Sequence, residues 1–407
     1  MPMNEAPRSS GGFNVAEPGA GGRLPSGIWL LGIAALFMDA SSELVHSLLP
    51  VFLASVLGAS MLTIGIIEGV AEATVAITKV FSGALSDYLR HRKWIVITGY
   101  ALAAFTKPMF PLAQSIGWVF SARFIDRFGK GIRGAPRDAL IADITPPQLR
   151  GAAYGLRQTL DSLGAVFGPL LAVGFMIWLA NDIRAVLWVA VLPAFIAVAL
   201  LLFLREPEEL AVGPPQARWS AADAWLLPGR FWVIVALGAI FTLARFSEAF
   251  LILRAQDVGL ALGQVPWVLV VMSLSYALFA YPAGAAADRL NQRLLLLTGI
   301  VPLVAADLIL AAADTALPVF VGCALWGLHM AFTRGLFAKL VADTAPRHLR
   351  GTAFGIFNLA SGVALLLASI IAGALWSAYG PAPTFWAGAG FATLAGFGVL
   401  VMDSRRE

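Results

Sequence analysis

Charge is scarce in this sequence, because charged residues make up only 13% of the 407 positions while hydrophobic residues make up 59%. Cysteine occurs once, at Cys323, which excludes an intrachain disulfide framework. The mean hydropathy of +0.81 lies far above the value that a soluble domain needs. The composition therefore indicates an integral membrane protein whose chain lies largely in lipid.

Apolar segments of the length needed to cross a bilayer recur along the chain. A crossing helix needs roughly 20 apolar residues, and dividing the sequence at its polar breaks predicts about twelve spans. The predicted spans are residues 27–56, 61–86, 94–113, 117–142, 151–179, 184–204, 230–254, 265–287, 294–313, 316–342, 350–379 and 383–402. Residues 1–26 are rich in Gly, Pro and Ser and have no apolar region ahead of the first span, so we expect a disordered tail and no cleaved signal peptide.

Basic residues gather in alternate loops between these spans. They include Arg90, Arg92, Lys93, Arg150, Arg289, Arg293, Arg347, Arg350, Arg405 and Arg406. The intervening loops, near Gly58, Gln114, Thr315 and Gly380, carry almost none. This pattern predicts a multi-pass protein of a bacterial-type inner membrane, with both termini, including the tail at residues 403–407, in the cytoplasm. The net charge of +4 thus reports topology and needs no nucleic-acid partner.

The chain contains an internal repeat with an offset of about 200 residues. Residues 142–155 align with residues 342–355, and eight of the fourteen pairs are identical. Nearly equal offsets superpose Gly83 and Asp87 on Gly284 and Asp288, and Ser42-Glu43 on Ser247-Glu248. We therefore predict two parallel six-span bundles, residues 27–204 and 230–402, joined by a proline-rich cytoplasmic linker at residues 205–229.

Three segments resemble motifs of the major facilitator superfamily. Residues 83–93 resemble its loop signature between spans two and three, residues 127–135 its span-four motif, and residues 164–172 the G-x-x-x-G-P motif typical of its proton-coupled exporters. The resemblance covers nearly the whole chain after the tail. It implies an all-α membrane protein with twelve transmembrane helices in two pseudo-symmetric bundles, which works as a transporter by alternating access. It also implies that Arg127 takes part in proton coupling.

The motif residues indicate two roles, gating and helix packing. The glycines allow close approach of a neighbouring helix, and the acids face a helix N-terminus or a basic partner. We expect gating by Gly83, Asp87, Arg92, Gly284, Asp288 and Arg293, and tight helix packing at Gly164, Gly168 and Pro169. The alternative for the basic loop residues is that they only enforce topology.

Seven charged residues of span four fall within an arc of about 140° at 100° per residue, so this helix has a charged face and a lipid face. An unpaired charge at mid-bilayer costs roughly 2.5–3.5 kcal/mol, so these residues must be paired or line a cavity. Across both halves, the predicted substrate and proton pathway comprises Asp39, Glu43, His46, Glu68, Glu72, Arg123, Asp126, Arg127, Lys130, Arg245, Glu248 and His329. Asp39 and Glu43 are the expected proton sites, and both are also candidate partners of Arg127.

Several readings of these residues stay open. Most of the charges could form permanent ion pairs, and His329 could be a packed hydrogen-bonding residue. Asp39, Glu43 and His46 at i, i+4 and i+7 have the spacing of ligands to a divalent metal. The sequence lacks a phosphate-binding loop and the usual hydrolase motifs, which disfavours an ATP pump or an intramembrane enzyme. We expect a monomeric, cofactor-free carrier that exports a small polar, anionic or amphiphilic solute by proton antiport, with uptake, metal transport or a sensor role as alternatives.

Overall fold

Helices account for all regular structure in the part of the chain that can be described. The computed structural model describes residues 24–89, 91–204, 225–287, 291–333, 336–346 and 349–403. The predicted tails and the predicted linker fall almost entirely outside these ranges, as do Asp288, Arg289 and Arg347, and the side chain of Asp87 is also outside the description.

The first half of the chain forms eight helices. They are α1 (Ser26–Val51, continued by a π-helical turn Phe52–Val56), α2 (Met61–Leu89), α3 (Arg92–Thr106), α4 (Met109–Leu112), α5 (Ile116–Ile144), α6 (Arg150–Trp178), α7 (Ile183–Val189) and α8 (Val191–Leu202). The backbone carbonyl of Ala190, at the break between α7 and α8, accepts a 2.6 Å hydrogen bond from Ser41 Oγ. A buried hydroxyl of α1 thus satisfies a carbonyl that the interrupted helix leaves free.

The second half repeats this order. Its helices are α9 (Gly229–Leu243), α10 (Ala249–Asp257), α11 (Trp267–Ala287), α12 (Gln292–Ala311), α13 (Ala316–Thr333), α14 (Leu336–Thr344), α15 (Arg350–Tyr379) and α16 (Pro381–Asp403). Ten helical segments of the described chain are long and apolar enough to cross a membrane. The prediction of an all-α membrane protein is confirmed.

Helices α5 and α9 do not meet the combined length and hydropathy criterion for a membrane span, each for a different reason. Helix α5 has 29 residues, roughly 43 Å of rise, but carries the charges expected on span four. Helix α9 is apolar but has only 15 residues. Counting both as crossings would give twelve spans, which stays a prediction.

The seventh span is interrupted, contrary to the continuous helix predicted for residues 230–254. Helix α9 ends at Leu243 and α10 begins at Ala249. Within the break, the backbone N–H of Ser247 donates to Ser369 Oγ at 3.2 Å, and the Ser247 hydroxyl accepts from the Ala249 N–H at 3.2 Å. Non-helical backbone is tolerated at this depth because neighbouring protein groups satisfy its polar atoms.

The two halves meet at one end of the bundle. Helix α2 packs along α15, α1 along α10, and α6 along α11. The Leu62 N–H donates to Ser377 Oγ at 3.0 Å, and Gln256 Nε2 donates to Ser55 Oγ. These hydrogen bonds join the halves at the end of the bundle that lies farthest from the N-terminus of α1.

The opposite end is open. A Cβ atom built at Gly151, Gly155, Gly284 or Gly351 would meet no atom within 4 Å. The first two glycines lie in the first turns of α6, and Gly351 lies at the equivalent place on α15. Gly151, Gly155 and Gly351 are exposed, and we refer to this end of the bundle as the open end.

Candidate solute and proton pathway

Helix α5 turns its charges inward and its aromatic rings outward, as its sequence period predicts. Arg123, Asp126 and Arg127 are at most 2% exposed, whereas Phe124 and Phe128 are about 40% exposed. The helix begins at a capped residue, Ser115, whose hydroxyl accepts the Trp118 N–H. The buried charges therefore require partners from α1, α2, α3 and α6.

A chain of ionisable groups runs from α5 through α2 to α1. Arg123 Nη2 lies 2.7 Å from Glu68 Oε2, and both side chains are essentially unexposed. The same oxygen is 3.9 Å from His46 Nε2, while His46 Nδ1 lies 3.2 Å from Glu43 Oε2. Glu43 is the most exposed member, with 21% of its side chain accessible. The chain thus connects a buried ion pair to a carboxylate at the cavity wall.

Lys107 and Arg127 anchor a second cluster around Asp126. Lys107 Nζ donates to Asp126 Oδ1 at 2.8 Å and to Ser42 Oγ at 3.0 Å. Arg127 lies 3.5 Å from Glu72 Oε1 and 3.4 Å from Asp126 Oδ2. The alternative in which Arg127 pairs with Asp39 or Glu43 is therefore not the arrangement found. Glu72 is the partner, because α2 packs more closely on α5 than α1 does.

A third group lies nearer the open end. Arg157 pairs with Asp161 at 3.1 Å, as their i, i+4 spacing predicts, and also with Asp138 of α5. Arg137 reaches Asp161 at 3.5 Å and the Tyr100 hydroxyl at 3.3 Å. The charges of α5 and α6 thus stabilise each other across the helix interface.

Asp39, Lys130 and Arg133 differ from the groups above. Among the described residues, none of the three has an oppositely charged atom within 4.0 Å or a side-chain hydrogen bond. The Arg133 guanidinium lies 4.5 Å from the centroid of the Tyr100 ring, and its Nη1 is buried without a hydrogen-bond partner. Two cations and one carboxylate thus face the interior unpaired.

The packing motif of α6 positions the acids of α1. A Cβ atom at Gly164 would lie 2.8 Å from the Leu36 carbonyl oxygen and 2.9 Å from Asp39 Cβ. At Gly168 it would lie 2.7 Å from both the Ala40 oxygen and Glu43 Cβ. Absent side chains on α6 let the backbone of α1 approach directly beneath both carboxylates. Pro169, the third residue of the motif, is buried in the same helix.

Part of the gating signature can be described. Gly83 lies where α2 passes α5, since a Cβ there would be 3.5 Å from Ala135 Cβ. Arg92 forms an ion pair with Asp143 at 2.5 Å, and Arg293 donates to the Leu400 carbonyl at 3.2 Å. The close approach expected at Gly284 is not present in this conformation, because its surroundings are open. The gating roles themselves stay predictions.

The second half supplies fewer polar groups. Arg245 and Glu248 flank the break between α9 and α10, where both are half-buried. His329 Nδ1 lies 2.7 Å from the Gly299 carbonyl oxygen and its ring packs on Phe241, which favours a packing role. Asp307, on α12, is fully buried, and neither of its carboxyl oxygens has a hydrogen-bond partner in the described structure.

The predicted pathway omitted three contributors, Lys107, Tyr100 and Arg133, although Arg133 is one of the seven charges predicted on the inward face of span four. A lysine inside an apolar span is costly and marks an intramembrane site, so Lys107 carried a readable signal. The sequence gives no sign that Tyr100 contributes, because only the packing of α3 on α5 brings its ring against Arg133. The metal hypothesis for Asp39, Glu43 and His46 gains no support, since the described residues contain no cluster of three potential ligands.

Replacing Arg127 with alanine is expected to abolish solute transport, because Glu72 loses its only charge partner in the described structure. Arg127→Lys is expected to retain part of the activity, since an ammonium cannot reproduce the planar fork of the guanidinium. Flux driven by a pH gradient in proteoliposomes measures both effects. Unchanged flux in the alanine variant would remove Arg127 from the coupling machinery.

Comparison with known proteins places this geometry in a family. The model of the Major Facilitator Superfamily matches residues 31–253 and 237–407. An uncharacterized MFS-type transporter of Methanocaldococcus jannaschii is 31% identical over 385 residues, covering 93% of this chain and 95% of that protein.

More distant matches are found in sequence and in structure. The multidrug resistance protein MdtH of Edwardsiella ictaluri is 25% identical over 283 residues, which is 66% of this chain and 67% of that protein. The crystal structure of the nucleoside transporter NupG superposes with a TM-score of 0.74 at 14% identity, covering 93% of this chain and 99% of that one. That likeness shows the fold. Because the family model covers nearly all of the helical chain, this membrane protein belongs to the Major Facilitator Superfamily.

Proposed function

We propose that the chain is a proton-coupled secondary transporter that works by alternating access and exports a small polar, anionic or amphiphilic organic solute. The observation that carries the proposal is the asymmetry of the bundle. The halves are hydrogen-bonded through Leu62 and Ser377 at one end, whereas Gly155 and Gly351 are exposed at the other. A carrier must close one end while it opens the other, and two parallel repeats provide equivalent contacts for both states.

The orientation follows from the basic loops. The open end carries the ion pair of Arg92 with Asp143 and lies beside the first residues of α1, where Gly27 approaches Ile144. By the positive-inside rule this end faces the cytoplasm, so the described conformation is inward-open and the chain lies in a bacterial-type inner membrane with both termini cytoplasmic.

Export is the proposed direction for two reasons. The glycines of the α6 motif pack beneath the candidate proton sites, as expected from its resemblance to exporters, and the relatives include a protein named for multidrug resistance. Proton-coupled uptake is the alternative. Nothing in the described site requires a cofactor, and we propose a carrier rather than an enzyme, because the family and the relatives are those of transporters.

Glu43 is the proposed proton site, with Asp39 as the alternative. Glu43 lies at the accessible end of the chain that leads through His46 to Glu68 and Arg123. Glu43→Gln is expected to abolish accumulation driven by a pH gradient while it preserves solute exchange at equal concentrations on both sides. Removing the proton site uncouples the gradient from a translocation step that the glutamine still permits.

The two assays separate coupling from structure. If Glu43 forms only a permanent ion pair, Glu43→Gln loses folding or both activities together. Asp39→Asn is the parallel variant, because its side chain lies on the same face of α1 one turn away. Intact gradient-driven accumulation by both variants would eliminate α1 as the location of the proton.

A further inference from the structure

Lys130 and Arg133 are cations of α5 that have no ion-pair partner among the described residues. In the membrane part of the first half, Arg123, Lys107 and Arg127 pair with Glu68, Asp126 and Glu72. Arg137 and Arg157 pair with Asp138 and Asp161. Lys130 and Arg133 lie one turn apart on α5, so they present both charges on one face.

Three carboxylates lie around Lys130, but none is close enough to form an ion pair with it. Its ammonium interacts electrostatically with Asp39, Glu43 and Glu72, yet it lies within 4.0 Å of no carboxylate among the described residues. The side chain is half-buried and so is Asp39. Both side chains are therefore partly accessible, and their charged atoms lie more than 4.0 Å apart.

Stacking and packing contacts, and not an ion pair, hold Arg133 in place. Its guanidinium stacks on Tyr100, and its backbone N–H and Cβ lie against Gly99, where a Cβ atom would come within 2.8 Å of Arg133 Cβ. The residue is 4% exposed, and Nη1 has no partner in the described structure. A buried guanidinium N–H without an acceptor is costly, so an acceptor from outside the protein fits this position.

Asp39 and Glu43 offset the charges of Lys130 and Arg133 only when both carboxyl groups are ionised. The charged groups that act on Asp39 are Asp161 of α6 and Lys130, Arg133 and Arg137 of α5, and α8, which also packs on α1, has no charged residue. A proton on Asp39 leaves one positive charge uncompensated inside the membrane span, and an anion would restore neutrality.

We propose that Lys130 and Arg133 bind the carboxylate or phosphate group of an anionic organic solute, and that this anion is loaded together with a proton on Asp39. The guanidinium fork binds two oxygens of such a group and the ammonium adds a point charge. Because the two ligands favour each other's binding, the carrier moves them in the same direction. The inference rests on the proposed transport function, specifies its solute class, and selects two alternatives given there, Asp39 as the proton site and proton-coupled uptake as the direction, over Glu43 and export.

The binding test uses the purified full-length protein and three probes: succinate, inorganic phosphate and the cation tetraphenylphosphonium. We expect succinate or phosphate, and not the cation, to raise the thermal unfolding temperature. Lys130→Gln should weaken the anion effect at least tenfold in half-saturating concentration, and Lys130→Arg should restore most of it. Lys339→Gln is the matched control, because Lys339 is exposed on α14 in the other half of the chain. Since Arg133→Gln also removes the stack on Tyr100, Lys130 is the decisive position.

The two anions distinguish the sources of the oxyanion, because a preference for succinate indicates a carboxylate and a preference for phosphate a phosphate ester. Stabilisation by the cation alone, or equal anion binding by Lys130→Gln and wild type, would overturn the anion site.

The coupling test uses proteoliposomes loaded with the bound anion and a pH dye. Co-transport predicts that outward flow of the anion makes the lumen more alkaline, and Asp39→Asn should abolish that change. Acidification of the lumen during anion efflux would overturn the joint loading. If succinate or phosphate binds through Lys130 but wild type moves no solute, the proposed transport function fails while the anion site stands. If neutral or cationic solutes are transported and neither anion binds, the proposed transport function stands while the anion site fails.

Discussion

Gly168→Val is expected to abolish transport and to lower the thermal unfolding temperature of the carrier markedly. A Cβ atom at Gly168 would lie 2.7 Å from the Ala40 carbonyl oxygen and 2.8 Å from the Leu44 nitrogen. Both are backbone atoms of α1, so no side-chain rotation relieves the clash and α1 must move away from α6. Overpacking of this kind costs typically 1–3 kcal/mol in protein cores.

The displaced segment carries Glu43, which is why a large functional loss accompanies the loss of stability. Gly168→Ala is expected to give an intermediate effect. Gly174→Val is the matched control on the same helix, because a Cβ there would meet no atom within 4 Å. Unfolding followed by tryptophan fluorescence, together with flux in proteoliposomes, measures both consequences. Equal behaviour of the valine variants at Gly168 and Gly174 would contradict the assigned packing.

Arg123→Met is expected to destabilise the protein by about 3–5 kcal/mol, the cost of leaving one partner of a buried ion pair uncompensated. Arg123 Nη2 contacts Glu68 Oε2 at 2.7 Å, and the Glu68 side chain is 0% exposed. The other Glu68 oxygen already has no hydrogen-bond partner among the described residues, and His46 lies 3.9 Å away. The arginine therefore provides most of the compensation for this charge.

The double variant Arg123→Met/Glu68→Met separates stability from function. Removing both charges leaves an apolar contact of similar volume, so we expect the unfolding temperature to return close to that of wild type. Transport should stay impaired, because the chain from Arg123 to Glu43 is interrupted. Arg230→Met, at an exposed position near the start of α9, controls for the loss of an arginine as such. A stable Arg123→Met variant would show that Glu68 does not depend on this ion pair.

Much of the architecture could be predicted because the bilayer imposes simple rules on a sequence. A chain in lipid must satisfy its backbone hydrogen bonds within helices, and each helix must be long enough to cross. Helix α15 begins at Arg350 and ends at Tyr379, the bounds predicted from hydropathy. Helix α6, at Arg150–Trp178, differs from its prediction by one residue at each end. The break after Leu243 escaped prediction because hydropathy averages over a window and does not detect local hydrogen bonds.

The candidate pathway could be predicted in its members but not in its pairs. The 140° arc on α5 showed that its charges share a face, and their burial confirms that this face points inward. The partner of Arg127 among the candidate acids could nevertheless not be chosen, since helix periodicity gives the direction of a side chain and says nothing about which neighbouring helix lies opposite. That depends on helix crossing, which small residues such as Gly99 and Gly168 set through close contacts.

The sequence by itself determined that this protein is helical, lies in a membrane, contains an internal repeat and carries charged residues within its membrane spans. These properties follow from local rules: the energy of transfer into lipid, the periodicity of a helix and the cost of an unpaired charge. Only the tertiary structure decided that Glu68 and Glu72 pair with Arg123 and Arg127, while Lys130 and Arg133 have no ion-pair partner among the described residues. The physical reason is that an ion pair requires contact within a few ångströms, and such distances depend on how helices far apart in sequence pack together.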